Sequence, residues 1–194
     1  MNHKQLILAS GSPYRRELLA RLGLAFESWS PDVDEQPRPE EAPRDTAARL
    51  ARLKAGAASA RWPQAWIIGS DQVAEHDGKP IGKPGTLANA RDQLRAMRGE
   101  IILFHTAICL LRPASAGVAE KLVTTRVAFR ALGDDEIERY LEREPALDCA
   151  GSAKSEGLGI ALLSRLDGDD PTALVGLPLI ALCAMLRAEG FEVP

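Results

Sequence analysis

The sequence predicts an α/β fold: a mixed, twisted sheet flanked by helices around a central cleft, in a single domain over residues 1–194. Three observations carry this expectation. Strand-like and helix-like segments alternate along the chain, the pattern of layered α/β architecture. Two long apolar runs, 101–111 and 121–129, follow one another through a short loop at 113–117, a spacing that suits a mixed rather than a purely parallel sheet. At 194 residues, with 45% hydrophobic and 26% charged residues, the chain has enough material for one well-cored domain, built as two lobes.

The elements follow in order. The apolar run 6–9 reads as a buried strand. Ser12 and Pro13 then open a leucine-bearing helix over 13–22, with Ser12 as N-cap and Pro13 at the first helical position. Residues 26–29 form a second strand, and a stretch rich in proline and acid, 31–43, reads as an irregular loop. Helix resumes over 45–61. The run 66–71 is the next strand, followed by a turn at Asp77-Gly78. Residues 86–98 and 134–144 read as helices on either side of the two long strands. Residues 160–166 are extended, and 177–189 close the chain as a helix.

Composition excludes several function classes. A formal charge of −3 gives no basic field for nucleic acid. No apolar run is long enough to span a bilayer and the N-terminus lacks a signal-peptide pattern, so no membrane partner is expected. Cys109, Cys149 and Cys183 are odd in number and widely spread, which suits a reducing cytoplasm rather than a disulfide frame. His3, His76 and His105 form no zinc spacing with them.

Several polar residues stand where plain structure does not ask for them. The junction Ser10-Gly11-Ser12-Pro13-Tyr14-Arg15 places free helix-N-terminal amides beside a guanidinium, a natural site for phosphate. At about 100° per residue, Ala47, Leu50, Ala51, Leu53, Ala57 and Ala58 share one helix arc, and Lys54 lies inside it. A lysine on a packing face either snorkels or faces a polar cleft. Asp71 follows the strand-like run 66–70, where open α/β sheets gather ligands. Paired with a carboxylate from Asp32, Asp34 or Glu35, it suits magnesium that keeps waters and takes phosphate ligands. Gly82-Lys83-Pro84 is not a Walker A element, because proline follows the lysine. The segment Lys154-Ser155-Glu156-Gly157 offers opposite charges between glycines, and reads equally as a surface turn. Asp167-Gly168-Asp169-Asp170-Pro171 lacks the spacing of a calcium loop and reads as a turn.

Taken together, seven segments in one order resemble the Maf-like nucleotide pyrophosphatases over essentially the whole chain. They are Leu-Ala-Ser-Gly-Ser-Pro-Tyr-Arg-Arg at 8–16, Val-Asp-Glu at 33–35, Lys54 and Gly-Ser-Asp-Gln-Val at 69–73. Gly-Lys-Pro at 82–84, Cys-Ala-Gly-Ser-Ala-Lys-Ser-Glu-Gly at 149–157 and Val-Gly-Leu-Pro at 175–178 complete the set. The resemblance implies an inosine-triphosphatase-like fold and hydrolysis of nucleoside triphosphates to monophosphate and pyrophosphate. It also implies a divalent cation, Mg2+ or Mn2+, and is compatible with a homodimer. Carried onto this chain, Ser10, Ser12, Arg15, Glu35, Lys54, Asp71 and Lys83 form the phosphate and metal machinery. Asp71 matches the implied proton acceptor, and Glu35 and Asp71 the metal ligands.

The base-reading positions depart from the family's pyrimidine branch, which carries Arg, Thr and Gln where this chain has Tyr14, Gln72 and Glu156. The trio resembles the 7-methyl-GTP branch instead. An aromatic face suits a cationic methylated base, and a carboxylate suits the guanine N1 and N2 edge. Lys154 joins these as a candidate substrate contact. A dTTP or UTP pyrophosphatase, and a non-hydrolytic nucleotide sensor linked to cell division, stay open as alternatives.

Overall fold

The computed structural model describes residues 4–194; the histidine at position 3, named above, lies outside them. Its sheet has seven strands: β1 (Leu6–Ala9), β2 (Glu27–Trp29), β3 (Trp66–His76), β4 (Lys79–Ile81), β5 (Ile101–Leu111), β6 (Val118–Phe129) and β7 (Leu163–Asp167). Their order is β2-β1-β3-β5-β6-β7, with β4 paired to β3. β1 pairs in parallel with β2 and β3, and every other pairing is antiparallel, so the sheet is mixed as expected. The long strands β5 and β6 run in register from Ile101↔Ala128 to Leu111↔Val118.

Five helices flank it: α1 (Pro13–Ala20), α2 (Pro43–Ser59), α3 (Leu87–Met97), α4 (Asp134–Arg143) and α5 (Leu179–Ala188). Three apolar clusters fill the layers. Ile7, Ala9, Ala47, Ala51, Ala55, Ile67 and Ala107 pack α2 onto the sheet. Leu18 and Leu19 of α1 join Leu182 and Leu186 of α5 over Leu8, Ile68 and Leu110. Leu94, Met97, Phe104, Ile137 and Leu141 form the third cluster, under α3 and α4.

Alanines on the inner face of α2 allow the helix to lie close to β3. The approach is tightest at Gly69, where a Cβ would sit 2.1 Å from the Ala51 carbonyl oxygen and 2.8 Å from the Ala55 nitrogen. A side chain there has no room, so glycine at this position sets the depth of α2.

Some boundaries differ from expectation. β3 does not stop at Asp71 but runs on to His76, where Asp77 and Gly78 turn it into β4. Asp71 is therefore mid-strand. The reason for expecting ligands nearby survives in a different form: β1 ends at Ala9, opposite Gly69, and the chain peels away there, leaving residues 70–73 of β3 without a strand partner on that side until β4 joins at Ala74. Residues 160–162 are 3-10 turn rather than strand. On α2 the buried arc is Thr46, Ala47, Leu50, Ala51, Lys54, Ala55 and Ala58, whereas Leu53, expected on it, is 41% exposed. No helix among the described residues is long and apolar enough to cross a membrane.

Candidate active site

One cavity of about 470 Å³ opens beside the end of β1. Its walls come from the β1–α1 junction, the loop after β2, α2, the middle of β3, the segment after β4, and the two connections that flank β7. Ser10, Ser12, Tyr14, Arg15, Glu35, Lys54, Asp71, Gln72, Lys83 and Glu156 all line it. Of the residues picked out from sequence, Lys154 lies off the lining, as do Asp32 and Asp34.

The junction is built by local capping chemistry. The Ser12 hydroxyl accepts from the Arg15 amide at 3.4 Å, and Pro13 occupies the first turn of α1. Buried Ser10 accepts from the Ser12 amide at 3.2 Å and from Arg15 Nη1 at 3.4 Å. Arg15 Nε donates to the Gly176 carbonyl at 2.8 Å, which ties the guanidinium to the Val175–Gly176 segment. The Ser70 hydroxyl donates to that same carbonyl at 3.0 Å. Asp170 holds the base of this segment, accepting from the Thr172 hydroxyl at 2.6 Å and the Ile180 amide at 2.7 Å, so the acidic turn is structural.

Lys54 is the hub. It is buried, and its Nζ lies 2.6 Å from Asp71 Oδ1 and 2.7 Å from Glu35 Oε1. Of the acids in the proline-rich loop, then, it is Glu35 that reaches the site. Arg15 Nη2 stands 3.9 Å from the same Asp71 Oδ1. Both cations meet Oδ1, so Oδ2 has no protein donor among the described residues. Burial works to raise the Glu35 carboxyl. The Lys54 hydrogen bond and the charges of Lys54, Lys83 and Arg15 outweigh it and hold the group below its ordinary value. Burial lowers the Arg15 guanidinium against the pull of Asp71 and Glu35. An arginine so held still remains charged near neutrality, so this end of the cavity presents three cations and two carboxylates.

The opposite end is aromatic and acidic. Tyr14 donates its phenol hydrogen to Asp148 Oδ2 at 3.1 Å, and Lys154 Nζ stands 5.0 Å from its ring centroid. Burial pushes the Tyr14 phenol above its ordinary value, so it stays protonated and able to donate. Gln72 spends its amide group on the Thr106 hydroxyl and the Ala173 and Leu174 carbonyls, at 2.9 to 3.0 Å. It shapes the wall. Glu156 is exposed, and its carboxylate contacts only the Ser155 hydroxyl, at 3.3 Å. Phe104, Phe129, Leu163 and Leu174 give this end an apolar floor. Asp148 and Cys149 were not singled out from sequence for this site. They lie in the connection after α4, and burial with Asp148 beside it pushes the Cys149 thiol up to about 11.

Two carboxylates approach one ammonium from either side, and among the described residues no cluster of three or more His, Cys, Asp or Glu side chains could hold a metal alone. That donor set suits a hard cation that keeps several waters and borrows ligands from phosphate.

The fold and the cavity define an α/β protein with a cationic pocket for an anionic ligand at one end and an aromatic, acidic pocket at the other. A family model described as Maf-like protein matches residues 5–189. A protein of Aromatoleum aromaticum named 7-methyl-GTP pyrophosphatase is 58% identical over 194 residues, covering 100% of both chains. One of the same name from Xanthomonas oryzae pv. oryzae is 57% identical over 190 residues, covering 98% of this chain and 99% of its own. The Ham1 protein of Staphylococcus aureus superposes with a TM-score of 0.56 at 16% identity, covering 96% of this chain and 100% of that one, which is a likeness of fold. The chain belongs to the Maf-like family.

Proposed function

We propose that the protein hydrolyses 7-methyl-GTP between the α and β phosphates, releasing 7-methyl-GMP and pyrophosphate. The observation that carries this reading is the division of one cavity into a cationic end and an aromatic, carboxylate-lined end. A triphosphate needs the first. A base made cationic by N7-methylation is favoured by the second, through cation–π attraction and charge-assisted hydrogen bonds. The names of the full-length relatives support the same substrate.

In this reading Arg15, Lys54 and Lys83 bind the phosphates and offset the charge that builds on their oxygens as the bridging bond breaks. The helix-terminal amides at Ser12 and the Ser10 hydroxyl orient them. A water oxygen bonds to the α-phosphorus, the α–β bridging P–O bond breaks, and pyrophosphate leaves with the bridging oxygen. Asp71 takes the water's proton on Oδ2, the oxygen free of protein donors. Lys54 keeps Oδ1 occupied and so fixes the carboxylate's orientation. Glu35 and Asp71 would hold a Mg2+ or Mn2+ ion, which supplies Lewis-acid neutralisation of phosphate charge when bound. At the other end Tyr14 stacks on the base, Glu156 accepts from its N1 and N2 edge, and Gln72 shapes the wall. Lys154 acts on Tyr14 rather than on substrate.

Replacement of Asp71 by Asn tests the assignment. Turnover should fall by at least about a hundredfold while the thermal midpoint stays near wild type, because the amide oxygen can still accept from Lys54. Near-normal pyrophosphate release from Asp71→Asn would refute the role.

A further inference from the structure

The base end of the cavity contains a carboxylate placed there by tertiary contact alone. Asp148 lies between α4 and the 3-10 turn Ala150–Ser152, and its exposed side chain borders the cavity. Its Oδ2 accepts from the phenol of Tyr14, 134 residues away in the chain. Tyr14 is thus held from two sides, by Asp148 at its hydroxyl and by the Lys154 ammonium near its ring. Lys154 stands off the lining, and the cations that do line the cavity are Arg15, Lys54 and Lys83, all at the phosphate end. The base end therefore faces its ligand with two carboxylates, Asp148 and Glu156, and no lining cation.

We propose that Asp148 is a specificity-determining residue: its carboxylate fixes the Tyr14 ring through the phenol and, with Glu156, favours a positively charged nucleobase over its neutral counterpart. This rests on the hydrolysis of 7-methyl-GTP proposed above. Two physical effects act in the same direction. A carboxylate beside the base attracts a permanent positive charge and gives a neutral guanine much less. A phenol that donates to a carboxylate also becomes more electron-rich, and its ring attracts a stacked cation more strongly. Lys154 works the other way, because a resident cation near the ring repels a second one. Asp148 offsets it.

The test is kcat/KM for 7-methyl-GTP and for GTP, measured on wild type, Asp148→Asn and Tyr14→Phe. Asn keeps an oxygen for the Tyr14 hydroxyl and removes only the charge, while Phe keeps the ring and both carboxylates. The 7-methyl-GTP:GTP ratio should fall about fivefold in Asp148→Asn, the range of a solvent-exposed charge pair, chiefly through KM for the methylated substrate. Tyr14→Phe should lower the ratio less. An unchanged ratio in Asp148→Asn, with wild type still preferring 7-methyl-GTP, overturns the inference and leaves the proposed function standing. An equal fall with both substrates identifies a structural role and overturns it too. A wild-type enzyme without preference for 7-methyl-GTP refutes the substrate reading itself, and the inference with it.

Discussion

Gly69→Ala links the packing of α2 to the chemistry at Asp71 more directly than any substitution of a site residue. A Cβ at 69 would stand 2.1 Å from the Ala51 carbonyl oxygen, 2.8 Å from the Ala55 nitrogen and 3.0 Å from the Ala55 Cβ. Carbon and carbonyl oxygen approach to roughly 3.3 Å, so the helix must withdraw by about 1.2 Å. Lys54 rides on that helix one residue from Ala55, and its Nζ meets Asp71 Oδ1 at 2.6 Å. The same withdrawal takes that contact beyond hydrogen-bond length. Overpacking of this size costs about 2 kcal/mol, within the usual range for forced backbone shifts. For a chain of this size that lowers the midpoint of thermal unfolding by about 6 °C. Misplacing Lys54 by about 1 Å should reduce turnover by about a hundredfold. The assay pairs a thermal melt with pyrophosphate release at saturating substrate. Gly56→Ala supplies the control on the same helix: it is exposed, with nothing within 4 Å of a new Cβ, and should stabilise by about 0.7 kcal/mol at unchanged turnover. Wild-type stability and turnover in Gly69→Ala would refute the argument that helix depth positions Lys54.

Glu35 gives a prediction of pH dependence. Its folded-state pKa is held below its ordinary value of 4.5, so the stabilisation from its contact with Lys54 is fully present above the unfolded pKa. It is lost as pH falls through the lower, folded value. The midpoint difference between wild type and Glu35→Gln should therefore be largest near neutrality and vanish in acid; a difference that grows on acidification would contradict the sign. Glu156→Gln should damage turnover of 7-methyl-GTP selectively over GTP, and equal loss across nucleotides would remove Glu156 from base recognition.

What was legible in the sequence was local or periodic. Ser12, Pro13 and Arg15 announce their junction because capping and proline chemistry act over three or four residues. Lys54 was visible because a charge interrupts the apolar arc of a 17-residue helix. Leu53 deceived for the same reason: the arc is narrower than its apolar residues suggest, since alanines rather than leucines make the close contact. The far half of β3 was missed because Gln72, Glu75 and His76 break the apolar run; their partners lie on β5 and β4, and register is a tertiary property. Asp148 carries no local signal, since its meaning comes from Tyr14 across the cavity. Nor does Gly69, which only the depth of α2 explains.

The most direct test of the account is pyrophosphate release from 7-methyl-GTP, GTP, dTTP, UTP and CTP, with magnesium or manganese and again after chelation. Cation-dependent release with a clear preference for 7-methyl-GTP is the predicted result. Preference for dTTP or UTP would contradict the assignment of Tyr14, Gln72 and Glu156 to a methylated purine. Tight binding without release from any of them would contradict hydrolysis itself.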